Sequence, residues 1–202
     1  MPIAPYYPAL IILGGAIAVA FGGFLAAYRQ VDFDARLNEK NDEIIALQAQ
    51  QIKAITGGDS YPYIVPILSK DKLMMQLRTE GKYTIYDFQA TILDRDLLTT
   101  LLAQSKYKNR EIAEIFNKSQ IVMPLGNLGP NQGKDITTYT LDPNIGHRSF
   151  LITLLARNGQ LSEYLQLHWV KNWWEVAYKV FNEKGVLKEN IGKNFPKDQL
   201  WK

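Results

Sequence analysis

Hydrophobic positions follow three regimes along this chain, and each predicts a different kind of element. The first is unbroken. Residues 2–28 carry no charged side chain, and the 20 residues 9–28 are almost wholly apolar. At about 1.5 Å of rise per residue they span roughly 30 Å, the thickness of a bilayer's hydrocarbon core, which predicts a transmembrane anchor over 1–28. Tyr6 and Tyr7 precede the run and Tyr28 closes it, as interfacial aromatics do, and Pro8 suits a first helical turn. A cleavable signal peptide is the competing reading, because Ala18-Val19-Ala20 offers small residues at suitable spacing. The length of the run and the lack of Lys or Arg before it favour a retained anchor. Gly14, Ala18, Gly22 and Ala26 recur every fourth residue, a spacing that lets two helix backbones approach closely. They form a candidate helix–helix interface for a homodimer, although Gly and Ala are also simply common in membrane helices.

The second regime is polar. From Arg29 to Ile55 there is neither Gly nor Pro, so a helix is expected to continue as a stalk over 29–56. One heptad register places Ile45, Ile52 and Ile55 on a seam together with Asn38, Asn41 and Gln48. Polar seam positions weaken a coiled coil while fixing its register. A weak coiled coil and a solvated single helix are both open. Arg29, Arg36 and Lys40 follow the span and no basic residue precedes it, so the positive-inside rule favours a cytoplasmic C-terminal domain. A periplasmic or extracellular domain is the alternative. The expected location is the plasma (inner) membrane, crossed once.

The third regime alternates. Gly57 and Gly58 stop the stalk, Asp59 and Ser60 favour a turn, and these four residues mark the stalk–domain junction. Tyr61–Leu68 is rich in β-formers but carries Pro62 and Pro66, which suits an edge strand. Lys72–Arg78 follows as a second strand. In Tyr83–Leu93, Tyr86, Phe88, Ala90 and Ile92 share one face. Residues 94–118 break the pattern, with Asn109 placed to cap a short helix over Arg110–Asn117. Gln120–Leu125 is a short strand and Gly126–Gly133 a loop. Ser149–Ala156, Gln160–Val170 and Trp173–Asn182 form a meander, joined by Asn158-Gly159 and Lys171-Asn172. On the middle strand Leu161, Leu165, Leu167 and Trp169 make the apolar face.

Six to eight short antiparallel strands over 57–183 predict a mainly β fold with helical additions, an antiparallel β-sandwich of immunoglobulin or fibronectin type. A net-basic tail, 184–202, is expected to be solvated. The pieces "ITGGDSYPYI", "GKYTIYDFQATILD" and "RNGQLSEYLQLHWVKNWWEVAYKV" resemble a loose group of uncharacterised bacterial single-pass membrane proteins. These join an anchor and a helical stalk to a β-rich domain that opens on a GGDS-aromatic stretch. The likeness implies a membrane-tethered sandwich and carries no catalytic residue over. Members often have a glycine in the last hairpin, where this chain has Asn172.

Composition narrows the chemistry. The chain has no cysteine, so disulfides and thiolate chemistry are excluded, and His147 and His168 are its two imidazoles. A net charge of +3 does not call for a nucleic-acid partner. Gly58-Asp59-Ser60 echoes the nucleophile string of GDSL esterases, and Gly57-Gly58-Asp59 the start of a GGDEF signature. Neither has its context: Ser60 follows a polar helix, Asn144-Ile145-Gly146-His147 lacks the aspartate of a DxxH pair, and Tyr61-Pro62 replaces Glu-Phe. Asp94 and Asp96 are expected to be solvated loop acids. No metal or cofactor is expected. The expected function is non-enzymatic, a membrane-anchored module for contact with an unidentified protein. Aromatics opposite the core, Tyr63, Tyr164, Trp173 and Phe181, are the candidate binding surface. A ligand- or glycan-sensing domain is the alternative, and a Ser60-dependent hydrolase stands third.

Overall fold

The computed structural model describes residues 7–104 and 109–201. Tyr6, the Asn109 side chain and Lys202, to which the sequence assigned an interfacial, a capping and a tail role, lie outside what is described. The chain is mainly β: a long N-terminal helix is followed by two antiparallel sheets. It divides into two compact units, Met1–Gln51 and Ile52–Lys202.

Helix α1 runs Tyr7–Thr56 without interruption. Among the described residues it is the one helix long and apolar enough to cross a membrane. Its apolar side chains, Leu10, Ile17, Phe21 and Phe24 among them, are exposed within the unit. On the polar stretch, Arg36 pairs with Asp32 at 3.1 Å and Lys40 with Glu43 at 2.6 Å, the one-turn spacing at which helical charges meet.

In the second unit the strands are β1 (Tyr61–Leu68), β2 (Lys72–Glu80), β3 (Ile85–Asp94), β4 (Gln120–Leu128), β5 (Gly133–Thr140), β6 (His147–Ala156), β7 (Gly159–Val170), β8 (Trp173–Asn182) and β9 (Gly185–Ile191). Helices α2 (Arg95–Gln104) and α3 (Asn109–Ser119) lie between β3 and β4. One sheet has the order β1-β2-β5, the other β4-β3-β6-β7-β8-β9, and every pairing is antiparallel. Both sheets contribute to one buried cluster. Ile64, Leu73, Met75 and Leu77 come from the first, and Phe88, Ile92, Phe150, Ile152, Leu165, Leu167, Trp174 and Val180 from the second. Each such side chain contributes about 1.5–3 kcal/mol by leaving water, so this shared core is what holds the sheets together.

Several local expectations change. Tyr86 does not share the face of Phe88, Ala90 and Ile92. Asp87 has φ 54°, and the β3–β4 register shifts between Ile85 and Phe88. This bulge reverses the phase, so Ile85 is fully buried and Tyr86 sits half-buried under the Arg157 guanidinium at 5.1 Å. The β6–β7 turn falls on Arg157 and Asn158, one residue before the expected pair, and only Gly159 has positive φ there, at 136°. At the next hairpin Lys171 and Asn172 have φ 50° and 68°, as a type I′ turn requires of both central residues. Gly126 and Leu128 belong to β4, so the loop is shorter than expected. The tail is not solvated throughout: β9 pairs with β8, and Phe195 is buried at 4% exposure. On β9, an edge strand, Lys188 turns inward. Its Nζ lies 2.8 Å from Glu80 and 4.0 Å from the Tyr63 ring centre, which makes that edge a poor template for a further strand.

Candidate functional site

The junction "TGGDS" is built from backbone geometry. Gly57 and Gly58 have φ 92° and 54°, and the Gly57 amide still donates to Lys53 O at 3.0 Å, closing the last helical turn. Ser60 turns inward and is 2% exposed, and its Oγ accepts the Tyr83 amide at 2.8 Å. Asn158 reaches over from the β6–β7 hairpin and donates to Ser60 O at 2.7 Å. Asp59 points to solvent. His147 and His168 face each other in register at the far end of β6 and β7 from Asn158. Ten residues of strand at about 3.4 Å each put both imidazoles roughly 30 Å from Ser60. Neither imidazole is in reach of that hydroxyl. Asn158→Ala is expected to lower the unfolding free energy of the β unit by about 1–2 kcal/mol, because the Ser60 carbonyl loses its donor. Urea midpoints compare the two chains, and an unchanged midpoint would show that Asn158 does not hold the junction.

The aromatics proposed as a surface divide into three places. Tyr164 and Phe181 meet on the face of β7–β8 opposite the core, with rings stacked at 5.7 Å. Cations frame them: Arg95 lies 5.6 Å from the Tyr164 ring, and Lys179 lies 5.8 Å from Phe181 and 4.5 Å from Trp201. Trp201 is itself fixed by its amide donating to Gln166 Oε1 at 2.8 Å. Both rings are half-buried, not fully open. Trp173 is 49% exposed at the β7–β8 turn. Tyr63 is elsewhere, packed against the core beneath Lys188. Beside Phe181 an open groove of about 830 Å³ is lined by Tyr61, Asn158, Leu161, Phe181 and Leu187.

Asp94 and Asp96 are not solvated acids. Asp94 continues the inward phase of β3 and is 3% exposed. One of its oxygens accepts the Leu97 amide at 3.0 Å, capping α2, and the other pairs with Arg148 Nη2. Asp96 accepts the Ser149 amide at 2.6 Å and lies 3.2 Å from His147 Nε2. His147 and His168 stack at 6.0 Å, and Phe195 meets His168 edge-on at 5.0 Å. Burial, then the neighbouring His147, push the His168 pKa down. These contacts fasten α2 and the C-terminal segment to the sheet. Among the described residues no group of three or more His, Cys, Asp or Glu is placed to hold a metal ion.

One residue escaped the sequence reading altogether. Glu163 lies on the apolar face of β7 between Leu161 and Leu165 and is fully buried. Its Oε2 accepts the Ile64 amide at 2.7 Å, and its Oε1 has no partner. Burial pushes its pKa up to about 8, which the single backbone hydrogen bond only partly opposes. The period-two pattern held the signal, since position 163 falls on the inward face whatever its side chain.

No family model, curated protein or solved structure matches the chain. On α1, a Cβ added at Gly14 or Gly22 would meet nothing within 4 Å, so the stripe with Ala18 and Ala26 is open to a neighbour.

Proposed function

We propose that the chain is a non-enzymatic, single-pass protein of the plasma (inner) membrane whose β unit serves as a protein-interaction module. The carrying observation is the Tyr164–Phe181 stack framed by Lys179, Arg95 and Trp201 on the outer face of β7–β8. Stacked rings flanked by cations resemble the anchors that dominate protein interfaces. The apolar run of α1 supports the anchor, and its small-residue stripe supports a homodimer through that helix and the stalk. The likeness to bacterial proteins with an anchor, a stalk and a GGDS-type domain points the same way. We read the two sheets as a sandwich in the broad sense. Their division into six and three strands is more uneven than the immunoglobulin pattern. The positive-inside rule favours a cytoplasmic β unit.

A ligand- or glycan-sensing role is favoured by one feature, the open groove beside Phe181. The buried Ser60, far from either histidine, gives no support to a hydrolase. Photo-crosslinkers at Phe181 and Trp173 in native membranes are expected to give adducts that a probe at Thr138 on β5 does not. An adduct of twice the chain mass that disappears in Gly22→Leu identifies the homodimer, and a different mass identifies a partner. Equal labelling from all three positions would sink the proposal.

A further inference from the structure

Strand β1 is an edge of its sheet, bonded to β2 on one side alone. The Ile64 amide points away from β2, to Glu163 of the other sheet. Antiparallel pairing alternates inward and outward backbone groups, so positions 62, 64, 66 and 68 share that outward side. Two of the four, on either side of Ile64, are proline and have no N–H. Ile64 is therefore the donor in the middle of an otherwise blunted edge, and the Glu163 carboxyl covers it.

Among the described residues no cation pairs with Glu163. On β8, Tyr178 is the titratable group that feels its charge, and burial raises that phenol's pKa first. From β9, Lys188 is committed to Glu80 and the Tyr63 ring. From β2, Arg78 donates its Nε to Gln76 Oε1 at 3.0 Å. From β1, Tyr61 and Tyr63 face each other at 6.2 Å and neither bonds the carboxyl. A neutral carboxyl suits this site. A carboxylate does not, because a single charge-assisted hydrogen bond does not offset the desolvation of an ion.

We propose that Glu163 is a protonation-controlled latch on β1. Neutral, it fills the space between the sheets and accepts the Ile64 amide. Ionised, it draws in water, releases Ile64 and opens the outer edge of β1. The edge yields before the interior does, since β1 is held by one neighbour and β7 by two.

The test uses the full chain in lipid nanodiscs between pH 6 and pH 9. Infrared spectroscopy is expected to find a protonated-carboxyl band that fades toward pH 9 and is missing from Glu163→Gln, which keeps an acceptor for Ile64 and cannot ionise. Protection of the Ile64 amide, corrected for intrinsic exchange, is expected to fall about tenfold from pH 7 to pH 9 in the unmodified chain and to stay constant in Glu163→Gln. Constant protection in the unmodified chain, or an equal fall in both, overturns the latch. If Glu163→Gln does not fold, the infrared titration of the unmodified chain decides alone: a band that persists at pH 9, or is already absent at pH 6, also overturns it.

Discussion

Replacing Gly81 by alanine is expected to lower the unfolding free energy of the β unit by about 3 kcal/mol or more. Gly81 follows β2 directly and has φ 118°, a conformation that side-chain-bearing residues rarely adopt. A Cβ there would lie 2.6 Å from Ser60 Cα and closer still to Ser60 Oγ. Ser60 cannot step aside. It is 2% exposed, its hydroxyl holds the Tyr83 amide, and its carbonyl holds Asn158. Relief would therefore have to come from backbone at the start of β1. Gly159→Ala is the control, with φ 136° and nothing within 4 Å of an added Cβ, and is expected to cost about 1 kcal/mol. Urea unfolding in detergent, followed by tryptophan fluorescence, compares them. Equal losses at the two sites would mean that the crowding at Ser60 carries no energy.

Glu163 makes stability depend on pH in the direction opposite to an ordinary salt-bridged acid. In the unfolded chain its carboxyl titrates near 4.5, and in the native protein at about 8. Between these values the native state binds more protons than the unfolded one, so stability falls as pH rises. The contribution is complete below 4.5 and gone above about 8. Its upper bound, from the separation of the two values, is about 4–5 kcal/mol. Two other groups act in different windows. Glu80, held low by its hydrogen bond to Lys188, contributes stability that is lost as pH falls below 4.5. His168, held low by burial, contributes stability that is lost as pH falls below 6.5. The difference between the unmodified chain and Glu163→Gln removes both from the comparison. That difference is expected to favour the unmodified chain progressively less from pH 5 to pH 8. A difference that does not change with pH would show that Glu163 is already ionised in the folded protein.

What could be read from the sequence follows from how each element is stabilised. β1 and β8 appear with the bounds the sequence implied, β1 from its β-formers and edge prolines and β8 from its alternation after the Lys171-Asn172 turn. β5 gives no such signal: "GKDITTYT" is an edge strand with charge and threonine where an apolar face would announce itself. α2 does not announce itself, because its start depends on Asp94, a residue that ends β3 and caps the helix at once. The closing segment reads as solvated because its docking rests on the edge pairing of β9 and on the isolated aromatics Phe195 and Trp201, none of which has an apolar period. At the candidate surface, Tyr164, Lys179 and Phe181 are legible as outward positions of paired strands, whereas Arg95 and Trp201 come from elsewhere in the chain. Glu163 was legible by position and overlooked by residue type, since a reading that collects leucines steps over the acid between them.

The long sequence separations at β1 set an order on its assembly. Ile64 and Glu163 are 99 residues apart, and Ser60 and Asn158 are 98 apart. At about 5–20 residues per second, synthesis reaches Glu163 roughly 5–20 s after β1 has been made. β1 can pair with β2 early, but the partner of its outer side arrives late. Pro62 and Pro66 thus protect a strand that must wait, denying nascent neighbours the amides on which they would aggregate.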